Sequence, residues 1–153
     1  MGQPKVVQRG VQKPEAPRRR AAPRSSRAWV ALHGARHQTS IIAGLNLSDA
    51  LLSQGKFAET KDFVGKLASD ATRALGPEHS FTIHVRGLYG LSLYANKDAS
   101  LDDLILAETT LEENSRTARH VLGRGHPTAV QVLKDLVKAR EKLARVRANP
   151  QLH

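Results

Sequence analysis

The chain contains no cysteine, which excludes disulfides, thiolate metal sites and cysteine nucleophiles and fits a reducing compartment. Aromatic residues make up 4 % of its 153 positions, so the 40 % that are hydrophobic must build an aliphatic core from Leu, Val, Ile and Ala. One tryptophan and two tyrosines leave no interleaved set of rings on which single-stranded bases could stack. No apolar run approaches the roughly 20 residues that cross a bilayer. No apolar h-region follows the basic start, and Val6 stands where a myristoylation signal wants Ser or Thr. Strand signals are missing as well, with no sustained alternation and no Asn-Gly hairpin. These absences lead to the expectation of an all-α protein without a membrane span, intracellular, with the cytoplasm as first choice.

What is present is a phrase that returns three times. Gly34-Ala35-Arg36-His37, Gly76-Pro77-Glu78-His79 and Gly123-Arg124-Gly125-His126 all read Gly-x-x-His, with the histidines 42 and then 47 residues apart. A period of this size marks a repeat protein in which each unit stacks on the next. It points to a scaffold that holds a partner rather than to a catalyst.

Charge is unevenly spread. The net charge is +10, yet residues 1–37 hold nine basic side chains against Glu15 alone, leaving +2 for residues 38–153. The first 27 residues carry four of the seven prolines, Pro4, Pro14, Pro17 and Pro23. Such a stretch cannot bury enough surface to offset its backbone entropy and is expected to be a disordered basic tail. Three roles stay open for it: a solvated leader, an organelle-targeting peptide, or an anchor for nucleic acid or an acidic surface through Arg18, Arg19, Arg20, Arg24 and Arg27.

From Ala28 onward the periodicity is helical, and residues 28–149 are expected to form the folded domain, with 150–153 as a short C-terminal tail. Ala28 to Leu32 around Trp29 is a short apolar helix closed by Gly34. Ile41, Ile42, Leu45, Leu51 and Leu52 predict a second, with Thr39 or Ser40 as N-cap. Phe57 to Leu75 is a third, ended by Gly76-Pro77. Phe81 to about Ala95 is a fourth, followed by an Asn96-Lys97-Asp98 turn. Ser100 caps the next, whose Leu104, Leu111 and Ala118 ladder must be buried. Pro127 opens the last, with Val130, Leu133, Leu136, Val137, Leu143 and Val146 expected on one side. Its opposite face, with Lys134, Lys138, Glu141 and Lys142, reads as a polar C-terminal cap. Gly87 and Gly90 fall inside a helix and imply close helix–helix approach.

Residues 37–60, HQTSIIAGLNLSDALLSQGKFAET, resemble the tetratricopeptide repeat in its 42-residue, kinesin-light-chain-like form. The matches are Asn46-Leu47, Gln54-Gly55, Phe57 and Glu59, and the linker recurs as Leu75-Gly76-Pro77-Glu78-His79 and Leu122-Gly123-Arg124-Gly125-His126-Pro127-Thr128. The second copy departs from the pattern: Lys97 stands for the expected glycine, and a turn about five residues longer is expected to account for 47 in place of 42. The resemblance implies a short helical-hairpin solenoid, about two repeats plus a capping helix, that binds a protein or peptide on its concave face. The Trp29 helix would then be the remnant of a truncated repeat, and a larger assembly or self-association would supply missing support.

Carried over position by position, the groove would show Asn46, Asp49 and Ser53 in the first copy. The second would show His84, Leu91 and Ala95, and the last helix Gln131, Lys134, Asp135 and Lys138. Asn46 stands where the family often places an asparagine that holds a peptide backbone, whereas Leu88 and Asp135 take its place in the other copies. Tight capture of an extended peptide is therefore disfavoured. Lys134, Lys138 and Lys142 recur every four residues, either as a solvated cap face or as a docking stripe for an acidic segment.

Catalytic patterns are missing. Glu112-Glu113 and Asp102-Asp103 are neighbours in sequence, so each pair points to different helix faces and cannot share a proton. Gly87-Leu88-Tyr89-Gly90 lacks the strand and the Lys-Ser/Thr of a phosphate loop. His37, His79 and His126 come from separate repeats without carboxylates at ligand spacing, and a structural role in the inter-repeat turns is the expectation. No enzyme activity, cofactor or metal is expected. The alternative class is a structural subunit of a nucleic-acid-rich or multi-subunit assembly, anchored by the basic tail.

Overall fold

The computed structural model describes residues 38–152. The basic tail, the Trp29 helix and His37 lie outside the described residues. Five α-helices follow one another: α1 (Gln38–Ser53), α2 (Phe57–Leu75), α3 (Ser80–Ala95), α4 (Leu101–Val121) and α5 (Pro127–Ala148), with a 3-10 turn at Pro150–Leu152. Among the described residues there is no strand.

Local chemistry fixes the boundaries. Gly76 and Gly123 have φ of 90° and 92°, a left-handed backbone that suits glycine and ends the preceding helix. Three residues after each, a histidine caps the next helix: His79 Nδ1 accepts from the Phe81 N–H at 3.1 Å, and His126 Nδ1 from the Thr128 N–H at 3.1 Å. The recurring Gly-x-x-His phrase is thus a stop followed by a start, which gives these two histidines the structural role expected of them. Pro127, at the first position of α5, has no N–H to leave unpaired. At α4 a capping box forms: Ser100 Oγ accepts from the Asp103 N–H at 3.0 Å, and the Asp103 carboxylate from the Ser100 N–H at 3.2 Å. Ser100→Ala is expected to cost about 1 kcal/mol, read as a lower urea midpoint with an unchanged m-value.

Each helix packs on the next, and α3 also touches α1 and α5. The helices therefore form stacked hairpins, with α1, α3 and α5 in one row and α2 and α4 in the other. One apolar cluster joins α1, α2 and α3 through Ile41, Leu45, Val64, Leu67 and Val85. A second joins α3, α4 and α5 through Leu93, Leu104, Leu111, Val132, Leu136 and Leu143. Leu104, Leu111 and Ala118 are all fully buried, as their spacing predicts. The glycines of α3 permit the close approach: a Cβ on Gly90 would sit 2.4 Å from Leu111 Cγ, and one on Gly87 3.1 Å from Val132. Ion pairs add ties at the edges, Lys61–Asp103 at 3.3 Å along the row of α2 and α4, and Arg140–Glu108 at 3.1 Å between the rows, from α5 to α4.

The structure corrects four expectations. Thr39 and Ser40 lie inside α1 rather than capping it; Ser40 is fully buried, like Thr82 at the matching position 42 residues later. The step from 42 to 47 does not come from one long turn. It is divided among the α3–α4 connection, α4 itself and the α4–α5 connection, each longer than its counterpart in the first unit. Val130, Leu133 and Val137 do not face inward with Leu136 and Leu143 but stand 37 %, 43 % and 48 % exposed, so the outer side of α5 mixes these apolar side chains with Lys134, Lys138 and Glu141 rather than being a purely polar cap. Lys142 leaves the expected lysine stripe: its Nζ donates to the carbonyls of Tyr94 and Asn96, each at 2.7 Å. There it closes the C-terminal end of α3, where free carbonyls favour a cation.

Candidate functional site

The row of α1, α3 and α5 places α3 beside α5, and between them lies a depression of about 350 Å³. Its floor is Gly87 and Val132; its α3 wall is His84, Leu88 and Leu91; its α5 wall is Pro127, Thr128, Gln131 and Asp135. The opening exists because Gly87 carries no side chain above Val132. The repeat register places the walls: His84, Leu88 and Leu91 recur 47 residues later as Gln131, Asp135 and Lys138. Leu88 and Leu91 offer apolar surface, while His84 and Gln131 bring polar atoms to the rim.

Asp135 is 3 % exposed. Its Oδ1 accepts from the Tyr94 hydroxyl at 2.7 Å and from Gln131 Nε2 at 3.2 Å. Burial pushes the Asp135 carboxyl up from its ordinary value, against the opposing pull of Tyr94, Gln131 and Lys138. Burial and the neighbouring carboxylate likewise hold the Tyr94 proton well above the usual tyrosine range. At neutral pH the tyrosine is therefore a fixed donor, and the pair locks α3 to α5 at the edge of the depression. Burial also lowers Lys142 below the ordinary lysine value.

Of the residues expected in a groove, His84, Leu91, Gln131 and Asp135 are brought together here. Asn46 and Asp49 are exposed on α1 and do not line the depression. Lys134 and Lys138 line a different one, of about 430 Å³, with Leu133, Val137 and Glu141. The tail arginines fall outside the described residues. Gly87, Pro127, Thr128 and Val132 are the lining residues that the groove positions taken from sequence miss; the signal for Gly87 was its place inside a helix, and Val132 gave none.

A third depression, of about 450 Å³, holds Arg73 and Arg86 beside Tyr89 and Thr72. Its charges are answered within the fold, since Arg73 pairs with Asp70 and Arg86 with Glu113 at 3.1 Å. The acidic neighbours on α4 are similarly engaged: Glu112 meets Arg116 at 2.8 Å and Arg140 at 3.3 Å. Asp103 is pushed up by burial, but the Ser100 N–H, Lys61 and the Ser100 hydroxyl outweigh this and hold it below the ordinary value. Among the described residues no group of three His, Asp or Glu side chains could hold a metal ion, and no helix is long and apolar enough to cross a membrane.

No family model matches the chain, and no match was found among the curated proteins.

Proposed function

We propose that this protein is a small adaptor of the tetratricopeptide type, which holds a protein partner against the concave row of α1, α3 and α5 and does so in the cytoplasm. The observation that carries this reading is the α3–α5 depression, where the apolar Leu88 and Leu91 line the same opening as the polar groups of His84 and Gln131. An apolar floor with a few convergent polar groups is the usual composition of a recognition site. Chemistry other than binding has little support there, because the one buried carboxylate, Asp135, already accepts two hydrogen bonds.

The uneven charge favours a second reading. With +8 of the net charge in residues 1–37, the tail would anchor a structural subunit to phosphates or acidic proteins. Salt separates the two, since binding by counterion release weakens steeply with ionic strength and burial of apolar surface does not. The test captures partners from nuclease-treated extract with the full chain, with Leu88→Arg, and with Arg18, Arg19, Arg20, Arg24 and Arg27 all changed to Gln. The adaptor reading expects Leu88→Arg to lose its protein partners at high salt while the tail variant keeps them. Retention by Leu88→Arg, together with loss by the tail variant, would replace it with the anchor.

A further inference from the structure

The outer face of α5 has an internal counterpart whose occupant is visible. On α3, Ile83, Arg86, Gly87 and Gly90 are positions that meet α4: Asn114 Nδ2 donates to the Ile83 carbonyl at 2.8 Å, Arg86 pairs with Glu113, and Gly90 lies against Leu111. Forty-seven residues later the same four positions are Val130, Leu133, Lys134 and Val137. All four are exposed, and Leu133, Lys134 and Val137 line the depression of about 430 Å³. A helix that follows α3 covers that face of α3; α5 presents the same face to solvent.

We infer that the outer face of α5 is a docking site for an acidic amphipathic helix of a partner protein, lying where the second helix of a third hairpin would lie. Charge argues for the acidic partner. The outer depression holds Lys134 and Lys138 against Glu141, which Arg145 approaches at 4.0 Å, and among the described residues neither lysine has a carboxylate within ion-pair distance. The chain already shows this pairing on the other side of α5. There α4, with five carboxylates against two arginines, packs its apolar side on Leu136 and Leu143 and presents Glu108 and Glu112 to Arg140. A second copy of the same face would bring two lysines and one carboxylate, already approached by Arg145, to meet two lysines, a net like-charge encounter that is disfavoured. Val137 replaces the glycine that admits Leu111, so the partner would rest on a ridge of Val130, Leu133 and Val137 rather than in a deep notch. This site does not rest on the α3–α5 depression and stands or falls separately from it.

The test uses the full chain and two synthetic stapled helices of about five turns. Both carry Leu at i, i+3, i+4 and i+7; one is flanked by Glu and the other by Lys. The Glu helix is expected to bind saturably, with NMR shifts centred on Leu133 and Val137. Val137→Asp is expected to weaken it at least about tenfold with the melting temperature little changed, because the side chain is half exposed. Lys134→Glu with Lys138→Glu, which leaves the apolar ridge intact, is expected to reverse the preference toward the Lys helix. The proposal is overturned by no saturable binding, by equal binding of the two helices, or by shifts centred on His84 and Leu88. It is overturned equally if the chain dimerises in sedimentation and Val137→Asp dissolves the dimer, since a second copy would then be the occupant.

Discussion

Gly90→Ala is expected to destabilise the fold by about 1–2 kcal/mol, although alanine is the better helix former. An added Cβ would meet Leu111 Cγ at 2.4 Å and Cδ2 at 2.5 Å. The first of these is the branch point of a fully buried side chain, not a free tip that could swing aside. Overpacking of this kind costs about 1–3 kcal/mol, and the helix-propensity gain of about 1 kcal/mol offsets part of it. Leu111→Ala by itself is expected to cost about 3–4 kcal/mol through the cavity it leaves between α3, α4 and α5. Combined, the two changes relieve each other, because the alanine methyl at 90 enters space that Leu111 has vacated. Urea unfolding of the two single variants and the double variant should give a coupling above about 1 kcal/mol, with the double variant no less stable than Leu111→Ala. Simple additivity would mean that Gly90 and Leu111 do not interlock.

Tyr94→Phe removes one hydroxyl and is expected to cost about 2–3 kcal/mol at neutral pH, the range for a buried hydrogen bond to a charged group. The loss falls on Asp135, which is left at 3 % exposure with Gln131 as its remaining donor. The cost should depend on pH in a definite direction. Burial raises the folded-state value of Asp135 above 3.8, so the native state holds this proton more tightly than the unfolded chain. Stability contributed by this group is therefore greatest at low pH and falls as pH rises from the ordinary Asp value through the raised one. The Tyr94 bond lowers that raised value, so its removal widens the window. Tyr94→Phe should thus be most damaging at neutral pH and progressively milder toward pH 4 in paired denaturation curves. A penalty independent of pH would show that Asp135 is not the group left exposed to the change.

The elements were legible where the signal is local. A glycine stop, a cap three residues on and a proline at the first helical position act within one turn of chain, and Gly76, Gly123, Ser100 and Pro127 do what their chemistry requires. The buried ladder Leu104, Leu111, Ala118 was legible because its heptad spacing leaves one face to cover. Burial on α5 was not. Val130, Leu133 and Val137 are as apolar as Val132, Leu136 and Leu143, and what separates the two sets is which side of the helix has a neighbour. The role of Lys142 was hidden for the same reason, since the carbonyls it closes lie 46 and 48 residues away. The candidate groove was partly legible: the 47-residue offset carries His84 and Leu88 to Gln131 and Asp135. That Tyr94 would bind the Asp135 carboxylate depended on the α3–α5 packing itself.

The row of α1, α3 and α5 as the working surface is tested most directly by placing a photo-crosslinking amino acid at position 91, inside the α3–α5 depression, and in a parallel protein at position 105, which is exposed on α4. Irradiation in cells should give a discrete protein adduct from position 91, resistant to nuclease, and no matching adduct from position 105. Adducts of equal pattern from both positions, or none from position 91 while the protein stays bound to nucleic acid, would contradict the adaptor account.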